Sequence, residues 1–413
     1  IIDDQGYDYD SSTVSQDAAS VDKKFFTLSA NKAFEDLATS IKYQWLSDEK
    51  LRDSSIIPGQ SEVIFYRTDV DQQQIDLGLK STKHPKSPWQ LNARYINHQE
   101  TSGQSNSLRD TNIILLEING QKVFQFNNIE LVTGAVVHAD KLTQDKPAEN
   151  VIEVDDESRE SVEVFVQGNW VKSDYQILAG IRSQYDSDFG WHNALRLSTM
   201  KNFALAEGKL QWHAGIGQSY RVPNLKERFY VFDHSALGYM VLGNKDLEPE
   251  TADSFNSSLT FNTTLADNKV DLRSDISVHY SKNDNLIDSI IDTEQSQETG
   301  LSIYQYQNIS EAKIHGFDIS TQLTFSQWKT QLNYSYLTSE DENNQRLLSR
   351  PRHQIKFNIN YDIDAYDIEI IAYAVYQAGE AVPDSYQGVE NNEYTTFNTI
   401  FNQTITDKHK CWH

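Results

Sequence analysis

The feature that most constrains this chain is two-residue alternation held over long runs. Across Lys269–Tyr280, the side chains of Val270, Leu272, Ile276, Val278 and Tyr280 share one face, and Asp271, Arg273, Asp275, Ser277 and His279 share the other. Phe317, Ile319, Leu323 and Phe325 likewise oppose Asp318, Ser320, Gln322 and Thr324. In Ile355–Ile363 the odd positions are apolar or aromatic, while Lys356, Asn358, Asn360 and Asp362 fill the even ones. Period two is strand geometry, and the charges on the second face put one side in an apolar medium and the other in water. A soluble sandwich produces the same local pattern.

Three further features favour a transmembrane barrel over a sandwich. The runs are commonly ten residues or more, whereas soluble strands usually span about five or six. Connections alternate in length: tight turns at Val171–Tyr175, Leu265–Lys269, Ser326–Lys329 and Ile363–Tyr366 separate long polar loops at Asp140–Ser161, Asn283–Gly300, Thr338–Arg350 and Gly379–Glu393. Short turns on one side and long loops on the other are the habit of outer-membrane barrels. Tyrosine and tryptophan also gather near strand ends, as an interfacial girdle requires.

Composition agrees. Hydrophobic residues are 38% of 413 and aromatics 11%, with a mean hydropathy of −0.61. Such a chain is too aromatic for disorder and polar enough to keep half its strand residues wet. A net charge of −24 argues against nucleic acid as a partner. The lone cysteine, Cys411, provides neither a disulfide framework nor a cysteine-rich zinc site. No apolar run approaches the roughly 20 residues of a membrane helix, so any membrane contact is made by strands. The opening Ile1 has no methionine, basic segment or apolar signal core around it, and the chain reads as part of a longer polypeptide.

The alternation predicts about seventeen strands, from 22–33 to 394–406, with one very long strand over Leu301–Ser326 bulged near Asn308–Ala312. An odd number of strands with loose ends cannot close a bacterial barrel. The expectation is an open antiparallel sheet, incomplete at both ends. Between two strands lies "SYRVPNLKERFYVFDHSALGYMVLGNKDLEPETADSF", Ser219–Phe255. Pro223 and Pro249 bracket a segment without helical period, which reads as a long ordered loop.

Five segments, in order, resemble the TonB-dependent outer-membrane receptors. These are "SVEVFVQGNW" with "YQILAGIRSQYDSDFGWHNALRLS", "GIGQSYRVPNLKERF", "GNKDLEPETADSF", "YQNISEAKIHGFDIS" and "RPRHQIKFNINY". The second is similar to the family's phenylalanine-arginine-alanine-proline box, here Tyr220, Arg221, Val222 and Pro223. The third is similar to its Asn-Pro-Asp-Leu-Lys-Pro-Glu box, here Asn244, Lys245, Asp246, Leu247, Glu248, Pro249 and Glu250. Val222 and Lys245 depart from the pattern, and "DKHKCWH" is unlike the family's closing strand. The resemblance implies an all-β barrel domain over 1–413 carrying about strands 4–20 of some 22, without the plug. The two boxes then flank a large extracellular loop. Their main role is structural, ending strands at fixed points.

The resemblance further implies a ligand-gated, energy-coupled importer in the outer membrane of a Gram-negative bacterium. Its cargo would be a scarce metal chelate: a ferric siderophore first, then haem or cobalamin. Its partners would be outer-membrane lipid, a TonB-type protein acting through the plug and, in some members, bacteriocins or phage. The alternatives are a passive porin and an outer-membrane enzyme, although no GxSxG, HExxH or phosphate-loop pattern is present. Arg228, Tyr230 and Tyr239 are candidates to pack against a flat or anionic ligand. His234, with Phe232 and Tyr239 beside it, is a candidate axial ligand for haem iron carried as cargo. Against each stands the plainer reading of a residue that merely holds or decorates a loop. Asp3, Asp4, Asp8 and Asp10 in "IIDDQGYDYDSS" offer hard oxygens suited to calcium, against a solvated acidic loop as the simpler reading.

Overall fold

Alternating runs become strands because a pleated backbone sends successive side chains to opposite faces, and the two faces here prefer different media. The computed structural model describes residues 2–6, 19–54, 64–83, 87–104, 107–235, 238–266, 269–381 and 393–403. Among these, twenty strands join in one sheet. Seventeen of them build a wall, and each corresponds to one strand expected from the alternation. They are β2 (Ser20–Ala33), β3 (Leu37–Ser54), β4 (Ile64–Ser81), β5 (Trp89–Gln104), β6 (Ser107–Phe126), β7 (Ile129–Lys146), β8 (Val151–Lys172), β9 (Tyr175–Asp186), β10 (Gly190–Leu205) and β11 (Gly208–Arg221). The wall continues through β14 (Glu250–Leu265), β15 (Val270–Ile291), β16 (Ser302–Phe325), β17 (Trp328–Asp341), β18 (His353–Ile363), β19 (Ile368–Ala378) and β20 (Tyr394–Gln403). Three short strands are additional: β1 (Ile2–Asp4), β12 (Val231–His234) and β13 (Tyr239–Leu242). Two short helices, α1 (Leu225–Phe229) and α2 (Thr293–Thr299), lie in connections.

Each wall strand pairs antiparallel with the next, and β11 pairs directly with β14 across the intervening insertion. No pairing joins β20 to β1 or β2 among the described residues, so the sheet is open there. The registers carry the alternation across strands. Ile276, Ile319 and Tyr334 form one row, and Ser277, Asp318 and Ser335 form the next. Ile276, Val278, Ile319, Leu323 and Phe357 are exposed, as lipid-facing residues must be in a structure without lipid. Asp318 instead accepts a hydrogen bond from Ser335 Oγ at 2.6 Å on the polar face. None of the helices among the described residues is long and apolar enough to cross a membrane. The strands are what cross.

Tight turns such as Asn127–Asn128, Ser173–Asp174 and Ser326–Gln327 close one end of the wall. Asn127, Ser173 and Ser326 have φ values of 45°, 51° and 51°, the left-handed conformation that short hairpins use.

The opposite end corrects the expected loops. Most of Asp140–Ser161 is strand: β7 continues to Lys146 and β8 begins at Val151. Likewise β15 covers the first half of Asn283–Gly300, as far as Ile291, and β17 extends into Thr338–Arg350 as far as Asp341. Beyond the membrane both faces of a hairpin are wet, so strand persists without an apolar face to signal it. The long strand β16 keeps an unchanged register through the expected bulge, with Asp284 opposite Glu311 and Leu286 opposite Ile309. The irregularity lies on its neighbour, at Asn285 with φ 57°. A true register shift occurs instead between β7 and β8 around Gln144.

Candidate ligand-binding cap at the barrel mouth

The insertion between β11 and β14 folds into a cap, and its sequence explains how. Pro223 ends the strand and is fully buried. Asn224 then caps α1: its side chain accepts from the Glu227 backbone N–H, and the Glu227 carboxylate accepts from the Asn224 N–H, both at 2.8 Å. Glu227 also receives Arg221, which forks to Glu250 at 2.7 and 2.8 Å. The two boxes are thereby tied at their junction. Gly243 passes so close to the end of α1 that a Cβ there would meet Phe229 N at 2.6 Å, which only glycine allows.

After α1, β12 and β13 form a hairpin. β13 adds in parallel to β16, with Tyr239 opposite Ser302 and Leu242 opposite Gln305. The side chains of β12 reach the other way, to the extensions of β4–β8. Gln144, fully buried, grips β12 by accepting from Val231 N at 3.0 Å and donating to Val231 O at 3.1 Å. Arg109, also buried, forks onto Glu153 at 2.7 and 3.0 Å and donates to Asp233 at 2.7 Å. The Tyr230 hydroxyl donates to Glu100 at 3.1 Å. Underneath, Leu142, Val154, Leu225 and Tyr230 form a buried apolar cluster with Ile113, Phe229 and Phe232 around it. The cap thus bridges the mouth from β16 to β4–β8.

The predicted ligand-facing residues are all engaged. Arg228 is ion-paired with Asp188 and lies over the rings of Phe189 and Phe229. Tyr230 is buried, and burial followed by Glu100 pushes its phenol up. His234 sits between the rings of Tyr66 and Tyr239, with centroids at 4.8 and 5.0 Å. Its Nε2 meets the Tyr66 hydroxyl at 3.2 Å, and its Nδ1 is buried without a hydrogen-bond partner. Burial holds its pKa below the usual value despite Asp233 and Glu100. Axial ligation of haem iron from this position requires opening that stack. Asp233 would be raised by burial, but hydrogen bonds from Ser235 and Arg109 prevail and keep it low.

The box residues have structural partners. Tyr220 donates to Gln184 at 2.6 Å and stacks on His192. Asn244 donates to Tyr306 O and accepts from Asp246 N, each at 2.9 Å. Leu247 is buried, and Pro249 precedes β14, whose first residue Glu250 also accepts from Ile287 N at 2.7 Å. Asp3 and Asp4 lie in β1, not in a loop, and pair with Asp22 and Val21. As strand neighbours they point to opposite faces, and each accepts locally, from Gln5 and Gly6. Asp8 and Asp10 lie outside the described residues. Among the described residues no cluster of three or more metal-ligating side chains occurs. Sequence reasoning missed Tyr66, Glu100, Arg109, Gln144 and Glu153, which are remote in sequence from the hairpin they hold. The only hint was charge and amide groups where the alternation fades.

An antiparallel wall with lipid exposure outside, polar rows inside and a folded cap over its mouth defines an outer-membrane receptor barrel. The chain matches the family described as TonB dependent receptor-like, beta-barrel, over residues 3–410, and it belongs to that family. Its place is the outer membrane of Gram-negative bacteria, and the family's members are transporters, not enzymes. Solved structures share the fold. The siderophore receptor PirA from Pseudomonas aeruginosa superposes with a TM-score of 0.64 at 15% identity, over 94% of this chain and 72% of that one. The copper transporter OprC gives 0.69 at 12% identity, over 94% and 64%. The hemophore receptor HasR of Serratia marcescens, solved with its hemophore HasA and heme, gives 0.63 at 11% identity, over 95% and 72%. The chain spans about two thirds to three quarters of these proteins.

Proposed function

We propose that this chain is the barrel of an energy-coupled importer whose cargo is a ferric siderophore of neutral or positive net charge. The observation that carries the reading is the ion pairing of the cap. Arg109, Arg159, Arg221 and Arg228 are each held by carboxylates, leaving none of these four guanidinium groups to receive an anionic chelate. The chain's acidic residues outnumber its basic ones, 60 to 36, and such a field steers cations inward and repels anions. Family membership supplies the coupling to a TonB-type protein through a plug. A passive porin fits less well, because a cap this firmly hydrogen-bonded across the mouth obstructs free diffusion.

The test is radio-iron uptake by cells carrying the complete receptor as their only one. A neutral or cationic hydroxamate chelate should be taken up and an anionic catecholate excluded; the reverse preference refutes the charge argument. Haem as cargo is tested by His234→Ala, with haem-dependent growth and the Soret band as readouts. Unchanged growth and spectrum would leave His234 as a packing residue.

A further inference from the structure

The lipid side of the wall changes charge from one end to the other. Toward the cap, Asp3, Asp22, Glu49 and Asp69 stand directly opposite one another on β1–β4. They share the face that carries the exposed Leu28, Ile41 and Leu77 farther down the same strands. Toward the tight turns, the last three outward-facing positions of the seventeen wall strands hold four lysines, Lys32, Lys122, Lys172 and Lys201, and no carboxylate. None of the four makes an ion pair among the described residues, whereas at the other end Lys24 is taken by Asp22 and Arg67 by Asp69. In a chain with 60 acidic and 36 basic residues, a belt holding cations alone runs against composition.

Three of these lysines repeat one arrangement. In Lys32-Ala33-Phe34, Lys122-Val123-Phe124 and Lys201-Asn202-Phe203 a phenylalanine follows two residues later, one step nearer the turn. Each ammonium lies over its ring, 5.0, 5.0 and 4.9 Å from the centroid. The side chains thus bend away from the middle of the bilayer and toward its headgroups, as snorkelling lysines do.

Two of the lysines share a single row. Lys172, Tyr175, Lys201 and Trp212 are successive cross-strand partners on β8–β11. The row continues through Leu259 to Ile276 and Ile319, which fixes its face as the lipid side. Lys172 immediately precedes the Ser173–Asp174 turn, which puts it at the periplasmic end. Lys201 lies over the Tyr175 ring at 4.2 Å and donates to its hydroxyl, so the phenolic O–H is left to donate outward. Lys172 is exposed and starts about 10 Å from Lys201 at the backbone, a span that two lysine side chains close. The row therefore presents two ammonium groups and a hydroxyl, all of them donors.

We propose that this row is a binding site for an anionic phospholipid of the inner leaflet. Its phosphodiester sits between Lys172 and Lys201 over the Tyr175 hydroxyl, where charge-assisted hydrogen bonds are the strong kind. Its acyl chains lie along Trp170 and Ile177, the next outward-facing pair toward the bilayer centre. A zwitterionic headgroup brings an ammonium that no carboxylate in this belt receives, and an uncharged lipid leaves both lysines unpaired.

The test is native mass spectrometry of the complete receptor with phosphatidylglycerol, phosphatidylethanolamine and an uncharged diacylglycerol of the same chain length. Phosphatidylglycerol should be retained about five-fold better than phosphatidylethanolamine, the equivalent of about 1 kcal/mol for a lysine beside an anionic lipid, and diacylglycerol least of all. Lys172→Gln combined with Lys201→Gln should erase the preference, and the corresponding pair of arginine substitutions should keep it. Lys24→Gln, at the acidic end of the same face, should leave it unchanged. Equal retention of phosphatidylglycerol and phosphatidylethanolamine overturns the proposal. So does a preference that survives the double glutamine variant, or one that Lys24→Gln also removes, in receptor that still shows the heat-modifiable migration of a folded barrel.

Discussion

The wall and the cap are built from one chain but stabilised in opposite ways. In the wall, Ile276, Val278, Ile319 and Phe357 are exposed, and the bilayer takes the place of a core. Its cohesion comes from the strand-to-strand ladders, and the polar rows inside need only water. In the cap, Leu142, Val154, Leu225 and Tyr230 bury one another, as in a soluble domain. The ladder there is short, four residues in β12, and buried polar groups do the holding. The comparison teaches that a barrel's outer end must carry its own miniature core, because there is no lipid to provide one.

Breaking the cap without the wall should have the largest effect. Arg109→Ala leaves Asp233 without a counter-charge and Glu153 with only Lys146, at 3.7 Å, and losing one partner of a buried ion network costs about 3–5 kcal/mol. Hydrogen exchange in the complete receptor should show Val231–His234 and Tyr239–Leu242 losing protection while the amides of Ile276 and Ile319 stay protected. Equal loss in both regions would mean that cap and wall are one cooperative unit. The converse experiment is Ile276→Arg, which places a charge on the lipid face. Near the middle of the bilayer it should cost about 2–4 kcal/mol, read as a lower denaturant midpoint of the barrel. A variant at the polar row, Asp318→Asn, should change that midpoint far less.

The same contrast governs what could be read from the sequence. The wall was legible because lipid and water sort side chains with period two, so Ile276 against Ser277 already states which way each faces. Tight turns were legible from Ser326 and the residues around it. The extensions of β7 and β8 were not, because strands wet on both faces lose the alternation, and Asp140–Ser161 reads as loop. In the cap, Pro223, Asn224 and Gly243 mark turns locally. The residues that fix it, Gln144 and Arg109, are joined to β12 only by the fold, and no spacing rule connects them. His234 was visible as a lone histidine, whereas its sandwich between Tyr66 and Tyr239 depends on a strand 168 positions away.

A smaller effect separates the two regions by pH. His234 is held below its ordinary pKa of 6.5 by burial, so an opened cap binds more protons than a closed one. The closed cap therefore has its full stability above about pH 6.5 and loses it as the pH falls, by at most about 1.4 kcal/mol per unit. Asp233, whose pKa is lowered, keeps its contribution until the pH drops below about 3.9. Between pH 6.5 and 4 the protection factors of Val231–His234 and Tyr239–Leu242, corrected for the intrinsic slowing of exchange in acid, should thus fall, with His234→Phe removing that dependence. A slope that survives in His234→Phe would assign the titration elsewhere.

The smallest expected effect tests whether the cap is a folded unit with its own helix logic. Asn224→Ala removes the acceptor for the Glu227 N–H and leaves the Glu227 carboxylate with only half of the capping box. Loss of such a cap costs about 1 kcal/mol. That is too little to open the hairpin, which Gln144 and Arg109 still hold, but enough to loosen α1. The expected signature is about five-fold faster exchange at Arg228 and Tyr230, whose amides close the helix onto Asn224 and Lys226, with Phe232 and Asp233 unchanged. Asn358→Ala on the water-facing side of β18 is the matched wall control and should change nothing measurable, because its strand is held by ladder bonds on both sides. If Asn224→Ala also releases Phe232 and Asp233, then α1 clamps the hairpin, and the polar grip of Gln144 and Arg109 is secondary to it.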